Sequence, residues 1–304
     1  MPLFPIRNLP AIDELREEWK KDHQEDRILD NPSPADFQNV KHISILNLMP
    51  VKERTERQLL RRLAMSECPV RVSFWMTETY RPTHTDSEHL KQFYTTFSAG
   101  KEDRPDGLII TGAPVEFMSF EDVTYFDELC RIMDWAREEG IPVLFICWGA
   151  QAGLYHHYGI QKFVLPAKQF GIFEHQLAEE TRLTEGMHSP FYAPHSRHTF
   201  TREDDVAKVP DLRIAARSEK AGVYLMVDEK HQEVYVTGHS EYEADTLSFE
   251  YFRDINKGLK IDVPEHYFPE DDPARTPVSI WRSHSEELFR NWVDRYVCRE
   301  EKQG

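Results

Sequence analysis

Apolar residues fall along this chain in two alternating rhythms. Short, nearly continuous apolar runs occur at "HISILNL" (42–48), "VRVSFWM" (70–76), "GLIITG" (107–112) and "PVLFIC" (142–147). Each is too short for a buried helix and is rich in Val, Ile, Leu and Phe, which predicts strands covered on both faces. Between them lie segments with helical spacing. "KERTERQLLRRLAM" (52–65) places Leu59, Leu60 and Leu63 on one face. "DSEHLKQFYTTF" (86–97) opens on Asp86 as an N-cap, and "SFEDVTYFDELCRIMDWAREEG" (119–140) has a start signal, an apolar stripe and a closing glycine. Strand and helix in strict succession predict an α/β fold, a mostly parallel sheet with helices on both faces.

The flanking regions follow other patterns. "AIDELREEWKKDHQEDR" (11–27) reads as a charged, solvent-facing helix, and "NPSPADF" (31–37) breaks the chain after it. Residues 1–37 are therefore expected to form an N-terminal arm and residues 38–304 a single α/β domain. Residues 213–243 read as two or three strands with turns, followed by a helix over 244–258, a Pro-rich loop and a terminal amphipathic helix. The net charge of -16 over 304 residues argues against a nucleic-acid binder, which needs clustered Lys and Arg. No apolar run approaches the roughly 20 residues that span a bilayer, and the N-terminal residues lack a signal-peptide pattern. Cys68, Cys130, Cys147 and Cys298 lie far apart with no CxxC pair, so reduced thiols are expected rather than a disulfide framework or a zinc site. The paired histidines His156, His157 and His195, His198 suggest no ligand set, so no metal is expected. Together these features point to a cytoplasmic protein.

In a parallel sheet the functional crevice lies at the carboxyl ends of the strands. Three loops are expected there: 49–52, 112–116 and 147–151. In "LFICWGAQAG" (144–153) a strand ends on Cys147 and passes at once into small, helix-compatible residues. Such a turn exposes a side chain above the sheet edge, and the positive end of the following helix favours thiolate. A buried, inert cysteine is equally compatible with this stretch alone. "VTGHSEYE" supplies what a nucleophile needs, because His239 and Glu241 at i and i+2 of an extended segment share a side. The backbone N–H groups of Gly112, Ala113 and Trp148 are candidates for an oxyanion site.

Several longer stretches carry a resemblance. They are "LNLMP" (46–50) with Lys52 and "RTERQLLR" behind it, "FYTTF" (93–97), "DGLIITGAPVE" (106–116), "FICWGAQAGLY" (145–155), "APHSR" (193–197), "VTGHSEY" (236–242), "FRD" (252–254) and "YFPEDDP" (267–273). In this order they resemble the homoserine O-acyltransferases of the glutamine-amidotransferase-like superfamily. The resemblance implies a class I glutamine-amidotransferase-like, flavodoxin-like fold and a homodimer. It implies transfer of an acetyl group from acetyl-CoA, a co-substrate rather than a bound cofactor, to the hydroxyl of homoserine in methionine biosynthesis. Cys147 would carry the acyl group as a thioester, with His239 as general base and Glu241 as its partner. Lys168, Ser196 and Arg253 would bind the amino acid, Lys52 would lie near the acyl site, and Glu116 would select acetyl over succinyl donors.

The chain departs from the family pattern at "KQFG" (168–171), where Phe170 replaces a small polar residue, at Ser240 in "GHSE", and in the segment 30–42. The Phe170 change leaves L-serine open as the acceptor. A glutamine amidotransferase remains a second possibility, since Cys147-Trp148-Gly149-Ala150-Gln151 also suits that chemistry.

Overall fold

A computed structural model describes residues 3–30, 39–82 and 85–299. The elements run β1 (Leu3–Phe4), α1 (Pro10–Lys21), β2 (Lys41–Leu46), α2 (Lys52–Leu63), β3 (Val70–Met76), α3 (Ser87–Phe93), β4 (Tyr94–Thr96), α4 (Phe97–Gly100), β5 (Gly107–Ile110), α5 (Phe126–Glu138), β6 (Val143–Ile146) and α6 (Trp148–Tyr158). Then come β7 (Lys162–Leu177), β8 (Phe191–Thr201), α7 (Glu203–Val206), β9 (Arg213–Ser218), β10 (Gly222–Asp228), β11 (Glu233–Val236), α8 (Thr246–Asn256) and α9 (Arg282–Trp292). The sheet order is β1-β3-β2-β5-β6-β11-β10-β9-β7-β8, with β4 paired to β3. From β1 to β11 the pairings are parallel. From β11 to β8 they are antiparallel. The predicted mostly parallel α/β sheet is present, with an antiparallel extension on one side.

The parallel strands are apolar on both faces because both faces are covered. Along β2 and β6, Ile43, Ile45, Leu144 and Ile146 point into one cluster with Leu59, Leu60 and Leu63 of α2. Leu46, Val143 and Phe145 point into the other, with Leu129, Ile132 and Met133 of α5. This period-two division between the two layers is what a doubly covered strand requires.

Several expected elements shift. The helix expected over 86–97 divides into α3, β4 and α4, because Tyr94–Thr96 pair with Phe74–Met76 of β3. The helix expected from 119 begins at Phe126, since Ser119 hydroxyl donates to Asp122 within a turn at 2.7 Å. No element was expected between 155 and 212, where β7 and β8 form the longest pairing of the sheet. The chain break at 31–37, the arm boundary at 37 and most of the altered segment 30–42 lie outside the described residues. The charged helix is amphipathic: Ala11, Ile12, Leu15 and Trp19 of α1 are buried, and Trp19 lies under the Arg61 guanidinium of α2 at 5.9 Å.

One chemical expectation is overturned. Cys68 and Cys298 are joined by a disulfide across 230 residues, with Cα atoms 6.5 Å apart. Cys130 and Cys147 are free. The turn after α2 meets the chain end beyond α9, where the Asp294 carboxylate also accepts from the Glu67 and Cys68 amides at 3.1 and 3.4 Å. No local spacing in the sequence signals a pairing made by two distant segments. Among the described residues, no helix is long and apolar enough to cross a membrane.

The contact between α6 and the sheet positions the site. A Cβ on Gly149 would lie 2.6 Å from the Thr111 carbonyl oxygen and 2.8 Å from that of Ile110, so α6 rests directly on backbone. Gly149→Ala is expected to destabilise the fold by about 1–3 kcal/mol, the usual cost of overpacking. A thermal melt unchanged from wild type would contradict this close approach.

Candidate active site

Cys147 sits between β6 and α6 with φ 52° and ψ −115°. A non-glycine residue held there carries on the order of 1–3 kcal/mol of strain. The neighbouring backbone fixes it: the Cys147 amide donates to the Val236 carbonyl at 2.7 Å, and the Cys147 carbonyl accepts from the Gln151 amide at 3.2 Å. The thiol is half-buried at the N-terminus of α6. Gly112 lies beside it, since a Cβ there would be 3.2 Å from Cys147 Cβ and 3.8 Å from Sγ. Among the described residues, the amides of Gly112, Ala113 and Trp148 donate to no protein acceptor. Unpaired amides beside a thiol are what an oxyanion site would require.

The chain after β11 brings the second group. The His239 amide donates to the Pro194 carbonyl at 2.9 Å. His239 Nδ1 donates to Glu241 Oε1 at 2.7 Å, its ring stacks on Tyr242 with centroids 4.1 Å apart, and its side chain hydrogen-bonds Cys147. Burial opposes charge on the ring. The Cys147 and Glu241 side chains outweigh burial and raise His239 well above the ordinary imidazole value. Both His239 and Glu241 are buried, and the far oxygen of Glu241, Oε2, has no hydrogen-bond partner. Nδ1 is thus committed to the carboxylate, leaving Nε2 for the sulfur.

Cys147, Trp148, Gly112, Ala113, Glu116, Lys168, Ser196, His239 and Arg253 all line one cleft of about 890 Å³. Glu241 stands behind His239. Lys52 lines an adjoining, mostly apolar cavity of about 870 Å³, which shares Met49, Pro50 and Pro114 with the cleft. The Lys52 ammonium donates to the Asn47 carbonyl, and burial pulls its pKa down to about 8 against the nearby Glu56 and Glu53.

The cleft floor away from Cys147 is polar. Glu250 of α8 accepts from the Ser196 hydroxyl at 2.5 Å, the Tyr242 hydroxyl at 2.8 Å and the Lys168 ammonium at 3.4 Å. Arg253 Nε donates to Asp254 at 2.7 Å. Two cations and two carboxylates in one wall suit a zwitterionic ligand. Phe170 does not line this cleft. It packs with Tyr242, Leu247 and Tyr251 in a separate apolar cluster, and the Lys168 ammonium lies 3.9 Å from its ring centroid. The departure at Phe170 thus acts on Lys168 rather than on the ligand directly. At the other departure, the Ser240 hydroxyl bonds the Tyr224 hydroxyl in the core.

Sequence reading did not find Glu250, Tyr242 or Asp254. Glu250 is three residues before Arg253, a helical spacing that places both on one face and the one local signal that could have marked it. Of the histidine pairs, His156 and His157 approach Asp134, and their ligand atoms all lie within 4.8 Å of one another. His195 is buried in a hydrogen-bonded chain, and His198 lines the cleft.

A family model described as homoserine O-succinyltransferase matches residues 7–303. A homoserine O-acetyltransferase of Clostridium acetobutylicum is 46% identical over 99% of this chain and 98% of its own. One from Geobacillus kaustophilus is 47% identical over the same shares of the two chains. Among solved structures, a glutamine amidotransferase from Thermotoga maritima superposes with a TM-score of 0.57 at 13% identity, covering 86% of this chain and 99% of that one. A putative GMP synthase subunit from Thermoplasma acidophilum gives 0.54 at 15% identity, covering 85% and 94%. At these identities the last two establish the glutamine-amidotransferase-like fold alone.

Proposed function

Because the chain belongs to the homoserine O-succinyltransferase family, we propose that it is a homoserine O-acetyltransferase working through an acetyl-cysteine thioester, in the biosynthesis of methionine. The single observation that carries this reading is that a strained Cys147 with His239 and Glu241 opens onto the same cleft as a wall built for a zwitterion. The relatives named homoserine O-acetyltransferase, similar over their full length, support acetyl as the group transferred.

The chemistry follows from the groups present. The Cys147 thiolate attacks the acetyl carbonyl of acetyl-CoA, and the oxyanion is met by the amides of Trp148, Gly112 and Ala113. The imidazolium of His239 gives its proton to the departing coenzyme A sulfur. The neutral imidazole then takes the proton of the homoserine hydroxyl as its oxygen attacks acetyl-Cys147, and the thiolate leaves. Glu241 holds Nδ1–H throughout, so Nε2 exchanges the proton. Arg253 grips the amino-acid carboxylate, while Glu250 receives the ammonium and Lys168 with Ser196 fixes Glu250. Acetyl-CoA is a co-substrate and no permanent cofactor is called for.

The test is an acceptor panel with acetyl-CoA. Homoserine should give the highest kcat/KM, above serine and threonine, with no ammonia released from glutamine. A preference for serine would move the acceptor assignment, and glutamine hydrolysis would replace the reaction class.

Glu116 supplies donor selection. It lines the cleft that holds Cys147, where a second carboxylate on the acyl chain would meet like charge. Glu116→Gly is expected to raise the kcat/KM ratio of succinyl-CoA to acetyl-CoA by at least about tenfold, equivalent to about 1.4 kcal/mol. An unchanged ratio would remove Glu116 from this role.

A further inference from the structure

Arg197 is a buried guanidinium without a carboxylate. It is 4% exposed, and among the described residues no Asp or Glu acts on its charge. A buried charge is costly unless something of opposite sign faces it. Three of its five N–H donors go to neutral groups: Nη1 to the Thr199 carbonyl at 2.5 Å, Nη2 to the Ala221 carbonyl at 2.6 Å, and Nε to His195 Nδ1 at 3.2 Å. Yet Arg197 lines the cleft that holds Cys147.

The hydrogen bonds behind Arg197 determine their own proton positions. A guanidinium only donates, so His195 Nδ1 accepts and His195 carries its proton on Nε2. Nε2 lies 3.1 Å from His175 Nε2, which must then accept. His175 is left with its proton on Nδ1, which donates to the Phe173 carbonyl at 2.9 Å. Every member is satisfied with both imidazoles neutral. Burial keeps them so, holding His175 at about 3 and His195 well below the ordinary value. His195, Arg197 and Thr199 occupy alternate positions of β8 and so share one face. The Thr199 hydroxyl donates to Gln151 Oε1 at 2.9 Å, and the Gln151 amide bonds the Cys147 carbonyl. The chain of neutral groups is thus fastened to the helix that carries the nucleophile.

We infer that Arg197 is a positioning residue that holds a fixed, buried positive charge facing the Cys147 thiolate, oriented by the proton-ordered His195–His175 pair. Burial draws Arg197 down to about 10, and Cys147 is the group whose charge opposes that effect. The sulfur of Cys147 can offer a counter-charge that comes and goes, since acetylation removes it and release of the acetyl group restores it. A permanent carboxylate would neutralise Arg197 at every stage. This inference rests on the reading of Cys147 as the nucleophile, but not on which substrates it serves.

The test uses no substrate. Second-order alkylation of Cys147 by iodoacetamide at neutral pH is measured for wild type, R197Q and R197K, beside the ultraviolet absorbance of the thiolate. R197Q, which keeps amide donors and loses the charge, should alkylate about tenfold more slowly and lose thiolate absorbance, since a tenfold change in population is about 1.4 kcal/mol. R197K should recover to within about threefold of wild type. A wild-type rate in R197Q, or an equal loss in R197K, overturns the inference while leaving acetyl transfer untouched. If R197Q does not fold, nitrogen NMR of the wild-type imidazoles decides together with R197K. His195 protonated on Nε2 and His175 on Nδ1 are expected, and a charged His195 or the reverse tautomers would refute the arrangement.

Discussion

Cys147→Ser should leave a folded protein whose kcat/KM for acetyl transfer is lower by at least about 10,000-fold. The hydroxyl would occupy the same strained position at the start of α6 and keep the same contacts. It would remain un-ionised beside His239, whose charge is tuned to a partner that becomes an anion. The loss therefore falls on the chemical step, with substrate binding nearly intact. A residual rate within about a hundredfold of wild type would mean that another group forms the covalent intermediate, or that none forms.

Glu241→Gln carries the second large effect. Glu241 Oε1 fixes the Nδ1–H tautomer of His239 and helps raise its pKa against burial. An amide can present its NH₂ group to Nδ1 instead, which would put the proton on the wrong nitrogen. A loss of about 100- to 10,000-fold in kcat is expected, as for carboxylate removal in other nucleophilic triads. The sign of the pH effect follows from the same contacts. His239 is raised in the folded state, so the stability of the charged pair is complete below the unfolded imidazole value. It is lost as pH rises through the raised folded value. Without Glu241 that folded value falls, and the basic limb of the acetylation profile should move to lower pH. A profile that kept its basic limb would show that Glu241 does not support the charge.

Much of this arrangement is legible in the sequence. The runs at 42–48, 70–76, 107–112 and 142–147 are apolar at consecutive positions because β2, β3, β5 and β6 have a layer on each side. That pattern has few other physical explanations. The Cys147 turn was legible because its small residues have one structural use, the direct seating of α6 on the carbonyls of residues 110 and 111. The antiparallel extension was not. "KFVLPAKQFGIFEHQL" has no steady period, since parts of β7 face the cleft, the solvent and the core in turn. Its pairing with "FYAPHSRHTFT" is a non-local fact that neither stretch announces.

The same limit applies within the site. Glu250 reads as one more acid in a helix until the fold sets Ser196 and Lys168 against it. His195 and His175 are 20 residues apart, and their hydrogen bond exists only because β7 and β8 pair. The Cys68–Cys298 disulfide has the same character, joining distant segments that meet only in the folded chain. The helix expected from 119 failed for a different reason. Ser119 caps a turn through Asp122, a local competitor that carries the same residue signal as a helix start.

The central claim, that Cys147 accepts the acetyl group before the amino acid arrives, is tested most directly by intact-protein mass spectrometry after incubation with acetyl-CoA alone. One acetyl group per chain is expected, located on the peptide containing Cys147, absent in Cys147→Ser and discharged on adding homoserine. An unmodified protein that still turns over when both substrates are present would contradict it.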